Sequence, residues 1–137
     1  MPNWCYQSLH LIGSGALLKE LNLSLNNNRF CDFVRPMPCK VWLEPDSDGQ
    51  GWYNWRLNNW GTKWDVSSVE DQVFNYADNK STLAFKCQTP WDVPLFIWDE
   101  LVLMGIQVDA DYHEESGLFR GEYRNGVNYK YKDGELV

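Results

Sequence analysis

Alternation of apolar and polar positions predicts strands at both ends of the chain. From Trp4 to Ile12, Leu9 and Leu11 alternate with polar residues, which is typical of a strand with one buried face. Asn125-Gly126 separates two short alternating segments and favours a tight hairpin turn between them. The further predicted strands with this pattern are 81–88, 106–113, 118–124 and 127–132.

Apolar residues spaced three or four positions apart predict two helices that pack one side on a core. The first runs from about 16 to 26 and follows Ser14, whose hydroxyl can cap a helix N-terminus. The second begins after Pro94, a residue suited to the first helical turn, and ends before Gly105. Their predicted buried residues are Leu17, Leu18, Leu21 and Leu25 in the first helix, and Leu95, Trp98, Leu101 and Val102 in the second.

The middle of the chain has a less regular pattern of apolar residues. The segment from Trp52 to Trp60 has the spacing of a short helix, which Gly61 would end. An acidic, turn-rich loop is predicted at 44–51, before this helix. A short strand is predicted at 30–34 and a strand or extended segment at 62–66, whereas the pattern at 69–76 is ambiguous and favours a strand.

Together these elements predict a single α+β domain over residues 1–137. Their order indicates a ferredoxin-like βαββαβ sandwich, in which two helices lie on one face of an antiparallel sheet. A Trp-rich helical insertion at about 40–66 and a C-terminal β-hairpin are added to this plan.

The charge of the chain argues against nucleic acid as a direct partner. The formal net charge is −7, and residues 65–122 hold twelve of the 19 acidic residues but only three of the 12 basic ones. Although Trp4, Tyr6 and His10 share the outward side of the first strand, acidic residues on the later strands would repel phosphate. The acidic segment is either a solvated face or a surface offered to a basic partner. The outward positions of the later strands are Gln107, Asp109, Asp111 and Glu122.

No pattern in the sequence predicts a membrane span or an export signal. No apolar run approaches the ~20 residues that a transmembrane helix needs. The first residues lack a basic start followed by an apolar stretch. These features predict a cytoplasmic protein without a membrane partner.

No motif in the sequence predicts catalysis, a metal site or a cofactor. The cysteines lack the close pairs of zinc and redox motifs, so we expect free, buried thiols. His10 and His113, the two histidines, each alternate outward on a strand and belong to no catalytic motif. We therefore expect a protein that binds rather than an enzyme. The four cysteines are Cys5, Cys31, Cys39 and Cys87.

The strongest candidate for a binding site is the segment 52–65, which is rich in Trp and Asn. Rings can stack on a ligand, amides form directional hydrogen bonds, and cations can hold an anion. In the alternative interpretation, the same rings attach an insertion to the core. The predicted binding residues are Trp52, Trp55, Arg56, Asn58, Asn59, Trp60, Lys63 and Trp64.

The segment from Asn59 to Asp65, Asn-Trp-Gly-Thr-Lys-Trp-Asp, carries a resemblance to a known family. Met1 to Cys5 and Pro36 to Pro38 add to it, and the match continues in order along the chain. These residues resemble the YubB-type ferredoxin-like domain family of bacteriophages and conjugative plasmids. The resemblance implies a ferredoxin-like fold and a mobile-element origin, and it implies no catalytic residues. Further matching residues are Phe85, Thr89, Pro90, Trp91, Pro94, Glu115, Ser116, Gly117, Phe119 and Gly121.

Two functions fit these observations best, and an enzyme that uses His10 or a cysteine is a third, less favoured alternative. The first is a non-catalytic accessory protein of a phage or plasmid that binds a host protein with a basic surface, as a counter-defence or regulatory inhibitor. The second is a protein that sequesters a nucleotide-like small molecule, with phosphate held by Arg56, Lys63 or the Gly13–Gly15 turn. In either case the protein would act in the cytoplasm of a bacterial host cell, as a monomer or a homodimer.

Overall fold

An antiparallel sheet of seven strands runs through the part of the chain that the structure describes. The computed structural model describes residues 3–43 and 51–137, so the acidic loop predicted at 44–51 lies outside it except for Gly51. The strands are β1 (Trp4–Gly13), β2 (Ser67–Asn75), β3 (Ser81–Pro90), β4 (Gln107–Glu114), β5 (Arg120–Arg124), β6 (Val127–Lys132) and β7 (Glu135–Leu136). The helices are α1 (Gly15–Asn26), α2 (Phe30–Val34), α3 (Lys40–Leu43), α4 (Gly51–Asn59) and α5 (Leu95–Leu103).

The order of the strands across the sheet is β2-β3-β1-β4-β5-β6-β7. Strand β1 pairs with β3 on one side and with β4 on the other, antiparallel in both cases. Tyr6 of β1 therefore lies beside Gln88 of β3 and His113 of β4. Because alternate residues of a strand point to the same face, this register aligns outward side chains in rows that cross the strands.

The helices pack on one face of the sheet. Helix α1 contacts β1, β2 and β3, helix α5 contacts β4, and α2 joins the two helices. Along β1, Cys5, Leu9 and Leu11 are buried against this layer, whereas Tyr6 and His10 on the opposite face are exposed. The opposite face of the sheet, here called the open face, carries no helix within residues 3–43 and 51–137.

Aromatic side chains form much of the core between the sheet and the helices. Phe30 of α2 packs edge-on against Phe85 of β3, with ring centroids 5.4 Å apart. The ring of Trp98 in α5 lies 5.9 Å from that of Tyr112 and 5.3 Å from that of Tyr123. These side chains are buried, and each removes a large apolar area from water, so the cluster stabilises the packing of α2 and α5 on the sheet.

The predicted fold class, a ferredoxin-like βαββαβ sandwich, is wrong for this chain. The structure is instead a β-rich fold built on a seven-stranded antiparallel sheet. The sequence pattern predicts the C-terminal hairpin as an addition to a sandwich, whereas β5 pairs along its whole length with β4 and continues the sheet. Strands β6 and β7 then extend the same sheet further.

Residues 30–34 form helix α2 and not the predicted strand. The carboxylate of Asp65 accepts hydrogen bonds from the backbone N–H groups of Cys31, at 2.8 Å, and Asp32, at 3.1 Å. Such N–H groups of a first helical turn have no partner within the helix. At 62–66, where a strand or extended segment is predicted, no strand forms, and β2 begins only at Ser67.

A glycine allows the sheet to be continued beyond β4. Gly121 of β5 pairs with Tyr112 of β4, and the Tyr112 ring lies across it. A Cβ atom on Gly121 would lie 2.3 Å from the Cζ atom of that ring. The Tyr112 hydroxyl donates to the side-chain oxygen of Asn128 on β6, at 2.6 Å, so one side chain connects three strands.

The two outer strands of the sheet are irregular or short. The pairing of β2 with β3 shifts register between Ser67 and Glu70 and again between Glu70 and Val73. Ser68 and Asp71, within these shifts, both have φ of 52°, in the left-handed region. At the other side, β7 has only two residues. The sheet thus has no long, regular outer strand among the described residues.

Several predicted elements are confirmed by the structure. The confirmed strands include β1, β3 and β4, and the confirmed helices are α1, α4 and α5. The Ser14 hydroxyl caps α1 by accepting from the N–H of Leu17 at 3.4 Å. Asn125 and Gly126 both have positive φ, as a tight hairpin turn between β5 and β6 requires. Among the helices of the described ranges, none has the length and apolar character needed to cross a membrane.

Candidate functional site

Arg56, predicted to hold an anion, is engaged within the protein. Its Cζ atom lies 5.3 Å from the ring centroid of Trp52 and 4.7 Å from that of Trp60. Its Nη1 atom donates to the carbonyl oxygen of Lys63 at 3.2 Å. Trp60 is 1% exposed, and its indole N–H donates to the carbonyl oxygen of Arg35 at 2.8 Å. This stack attaches α4 to the core.

Other predicted residues of α4 also take part in packing. The Trp55 ring lies edge-on to that of Trp60, with centroids 6.0 Å apart. The side-chain amide of Asn59 donates to the carbonyl oxygen of Trp55 at 2.8 Å. The carbonyl oxygen of Asn59 accepts from Arg35 Nη1 at 3.2 Å, and Asn58 is exposed. The interpretation of this segment as an insertion attached to the core therefore fits most of its side chains.

Lys63 and Trp64 contact a different part of the molecule. The Lys63 ammonium lies 4.4 Å from the ring centroid of Trp64, which is 39% exposed. The Trp64 ring in turn lies 6.1 Å from that of Trp4, at the start of β1. Trp4 shares the open face with Tyr6, because the two are separated by one residue along the strand. These two predicted residues thus adjoin one end of the open face.

A pair of exposed rings lies next to Trp4 on the open face. Tyr6 of β1 and His113 of β4 are directly opposite in the register, with ring centroids 5.4 Å apart. The Tyr6 side chain is 38% exposed, and His113 is exposed. The two rings are tilted by 39° to each other, and each offers an exposed aromatic edge or face to a partner.

Carboxylates and one ammonium form the adjacent row of the open face. Asp111 of β4 lies beside Ser8 of β1 on one side and beside Glu122 of β5 on the other. On the other side of Ser8, Lys86 of β3 is the next residue in the row, and Glu70 of β2 lies opposite Lys86 in the strand register. The small side chain of Ser8 therefore stands between longer charged side chains.

This arrangement leaves a hollow of about 630 Å³ on the open face. Its size falls within the range of about 300 to 1,000 Å³ that is usual for ligand sites. Its lining comes from strands β1 to β5, so the hollow depends on the register of the whole sheet. Among the side chains that line it are Tyr6, Ser8, Glu70, Lys86, Gln88, Asp111, His113, Arg120 and Glu122.

The cations of the open face already have partners within the protein. Lys86 lies 3.3 Å from a carboxylate oxygen of Asp71, and Arg124 lies 2.7 Å from one of Asp111. The guanidinium carbon of Arg120 lies 4.6 Å from the ring centroid of Tyr131. In contrast, the hollow's two glutamates form no salt bridge with any described residue. The hollow thus presents carboxylates that can accept from an external donor.

Several other acidic residues of the segment 65–122 serve the fold. Glu100 of α5 pairs with Arg35 at 2.9 Å. Glu114 accepts from the backbone N–H groups of Ser116, at 3.0 Å, and Leu118, at 2.9 Å, in the turn after β4. The predicted surface for a basic partner is therefore smaller than the acidic content of the segment indicates.

The Gly13–Gly15 turn, predicted as one possible phosphate site, is closed by its neighbours. Gly15 is buried, and a Cβ atom there would lie 2.5 Å from the Tyr76 ring. Its N–H is directed to the carbonyl oxygen of Asp78, at 3.4 Å. Phosphate binding through this turn would require the hairpin between β2 and β3 to move away.

Three of the four thiols are buried, and both histidines lie on the open face. Burial raises the pKa of Cys5 to about 12 and also raises those of Cys31 and Cys87, so these thiols stay protonated at neutral pH. The four cysteines are free, but Cys39 is exposed and not buried as predicted. Both histidines lie on the open face, as predicted. No group of three metal-ligating side chains lies together in the described part of the chain.

The hollow of the open face is the feature that sequence reasoning missed. Strand alternation correctly places Tyr6, Asp111 and Glu122 on an outward face. The missing information was the register, which brings Glu70 and Lys86 of β2 and β3 next to them. No local pattern in the sequence encodes that alignment.

Comparison with known proteins assigns no family to the chain. No family model matches it, and no curated protein matches it. Among solved structures, it is similar to a protein api92 from Yersinia pseudotuberculosis, described as DUF1281, with 16% sequence identity and a TM-score of 0.48. The similarity covers 78% of this chain and 37% of that chain. This chain therefore corresponds to about a third of the length of the Yersinia protein.

Proposed function

We propose that this chain is a non-catalytic accessory protein of a phage or plasmid, which acts in the bacterial cytoplasm by binding a host protein. Its role would be counter-defence or regulatory inhibition. The observation that carries the binding role is the open face, where an exposed ring pair adjoins carboxylates around a hollow of about 630 Å³. Exposed rings beside polar groups are typical of protein interfaces.

The charges of the open face favour a partner with a basic surface. Glu70 and Glu122 line the hollow from opposite sides and have no salt bridge to described residues. The neighbouring cations Lys86 and Arg124 are paired within the protein. A basic partner would find complementary charge here, which accelerates encounter and selects against acidic partners.

The aromatic side chains extend this surface toward one end of the sheet. Trp4 and Trp64 lie beyond Tyr6 on the same side, with Trp64 39% exposed. Large amphipathic rings at the centre or rim of an interface often contribute most of its binding energy. Two of the residues predicted from the sequence, Lys63 and Trp64, therefore remain part of the proposed interface.

The mobile-element origin is supported by the resemblance to the YubB-type family. Its most specific run, Asn59 to Asp65, contains buried Trp60 and the cap residue Asp65. In the proposal this run holds the fold together and carries only Lys63 and Trp64 toward the binding surface.

Native mass spectrometry of the tagged protein, purified gently from a bacterial host, tests the proposed function. We expect a host protein at fixed stoichiometry with the wild type. Tyr6→Ala and Glu122→Lys should each weaken its binding by at least about tenfold, because they remove a ring and reverse a charge on the open face. Glu20→Lys is the matched control, since Glu20 is exposed on α1, on the opposite side of the sheet. Absence of any host partner, or a partner retained by both open-face variants, would contradict the proposal.

A second candidate function, sequestration of a nucleotide-like small molecule, is favoured by the size of the hollow. Its volume of about 630 Å³ suits such a ligand, with the Tyr6 ring available for stacking. The Lys86 ammonium and the Gln88 amide would contact polar groups of the ligand. In the same mass spectra, an added mass close to that of a nucleotide, lost in Tyr6→Ala but kept in Glu20→Lys, would support this function over the first.

A further inference from the structure

The chemistry of the open face favours one kind of side chain on a partner. This inference rests on the proposed protein-binding function and deepens it. Three features of the hollow decide it: a flat exposed ring, carboxylates beside that ring, and two glutamates, Glu70 and Glu122, that form no salt bridge with any described residue.

The flat surface is the Tyr6 ring, held from one side by His113 at a centroid distance of 5.4 Å. Because its neighbour on β1, Ser8, is small, the ring is bordered by open space toward the next row. A planar cation can stack on such a ring, whereas a hydrated ammonium makes a less extensive contact.

The carboxylates lie one row away from the ring. Asp111 is diagonal to Tyr6 across the β1–β4 pair, and Glu122 is the cross-strand neighbour of Asp111. Diagonal neighbours in an antiparallel pair are within reach of long side chains, at roughly 7 to 8 Å. A guanidinium group stacked on Tyr6 could therefore donate to a carboxylate at its edge.

The protein itself shows this chemistry at three arginines. The guanidinium of Arg56 stacks between two tryptophans, and that of Arg120 lies over Tyr131. Arg124 Nη2 donates to Asp111 Oδ1 at 2.7 Å, so one carboxylate of the hollow already binds a guanidinium. Planar stacking together with bidentate pairing distinguishes arginine from lysine as a binding group.

We infer that the open face binds arginine side chains of the partner protein, with a guanidinium stacked on Tyr6 and donating to Asp111 and Glu122. A basic segment of the partner would lie across the strands and place its arginine in the hollow. The Glu70 carboxylate, at the other side of the hollow, would pair with a second cation of the same segment.

Titration of the isotope-labelled full chain with blocked synthetic peptides, followed by NMR, tests this inference. The probes are an octapeptide with two arginines and its counterparts with lysine or citrulline at the same positions. We expect the arginine peptide to shift the amide signals of Tyr6, Ser8 and Glu122. Citrulline keeps the shape but has no charge, so its peptide should bind at least about tenfold more weakly, and the lysine peptide about threefold more weakly.

Variants of the open face complete the test. Glu122→Gln should weaken the arginine peptide several-fold, Tyr6→Leu should remove the preference for arginine over lysine, and Tyr6→Phe should retain it. Glu20→Gln, on the opposite side of the sheet, should leave binding unchanged. Equal affinities for the arginine and citrulline peptides, or signal shifts away from the open face, would overturn the inference.

The outcomes separate this inference from the proposed function. A host protein that binds through the open face, while the arginine peptide does not bind there, would overturn only the arginine specificity. Arginine-selective peptide binding without any host protein partner would instead support the site and contradict the proposed function. A nucleic acid or small molecule found on the face in place of a protein would overturn both.

Discussion

The tryptophans of this protein differ widely in exposure. Trp60 and Trp98 are 1% and 0% exposed, whereas Trp64 and Trp91 are 39% and 52% exposed. Trp91 also has φ of 69°, a conformation that bulky residues rarely adopt. A cluster of tryptophans in a sequence therefore contains both core residues and surface residues, and only their tertiary neighbours distinguish them.

Substitution of a buried tryptophan should destabilise the fold without a direct effect on the open face. For Trp60→Ala we expect the free energy of unfolding to fall by about 3 to 5 kcal/mol, since a large cavity forms. The Arg35 carbonyl would also lose its indole partner. Urea denaturation followed by circular dichroism measures the change. Asn58→Ala, at an exposed position of α4, is the control and should stay within about 0.5 kcal/mol of the wild type.

Asp65 makes stability depend on pH in a direction that is unusual for a carboxylate. Burial raises its pKa, and this outweighs the hydrogen bonds it accepts from Cys31, Asp32 and Val66. Folding therefore favours the protonated form. The resulting contribution to stability is complete below the pKa of the unfolded chain and is lost as the pH rises through the pKa of the folded state.

Comparison of wild type with Asp65→Asn at two pH values tests this direction. Between about pH 3 and pH 7 the wild type should lose stability relative to the variant, because asparagine does not titrate. Urea denaturation at each pH gives the two free energies of unfolding. Asn58→Ala, an exposed substitution that changes no titratable group, should show no such trend. A constant difference between wild type and Asp65→Asn would show that hydrogen bonding compensates for burial.

At the scale of secondary structure, a helix or strand can be predicted from the sequence when the interactions that determine it lie within its own segment. Strand β1 and helix α1 are predicted correctly because their periodicity and the Ser14 cap are contained within each segment. Helix α2 is predicted as a strand because its cap, Asp65, lies 33 residues away. The residues 30–34 have strand propensity on their own, and the distant acceptor that favours the helix cannot be seen in them.

The pairing of β4 with β5 depends on the absence of a side chain at Gly121. In Gly121→Ala the new methyl group would overlap the Tyr112 ring, so the ring must move and its hydrogen bond to Asn128 would be lost. We expect a loss of about 1 to 3 kcal/mol in the free energy of unfolding, as is usual for overpacked sites.

A double-mutant cycle separates the overlap from other effects of the alanine. In a Tyr112→Leu background, which removes the ring, Gly121→Ala should cost much less than in the wild type. Thermal or urea denaturation of the four proteins provides the comparison. An equal cost in both backgrounds would assign the effect to the backbone and not to the ring.

At the scale of the whole molecule, acidic residues serve two separate purposes. Those near the helices and turns, such as Glu100 and Glu114, complete local hydrogen bonds and ion pairs. Those on the open face, such as Glu70 and Glu122, surround the hollow. Net charge alone cannot separate the two groups, because the distinction depends on which face of the sheet each residue occupies.

The candidate site could be predicted only in part from the sequence. Alternation along β1 and β4 places Tyr6, His113 and Asp111 outward, which the structure confirms. The composition of the segment 52–65 predicts a binding site, yet most of its rings pack within the protein. A hollow formed by five strands results from their register, which arises only when distant segments pair.

The irregular outer strand β2 has a consequence for the protein at high concentration. A straight, unpaired strand edge invites other chains to add to it, and such growth leads to ribbons and fibrils. The left-handed residues Ser68 and Asp71 bend β2 away from that geometry, and the two residues of β7 offer too short a template at the other side. At high concentration, this geometry therefore disfavours the growth of ribbons through β2.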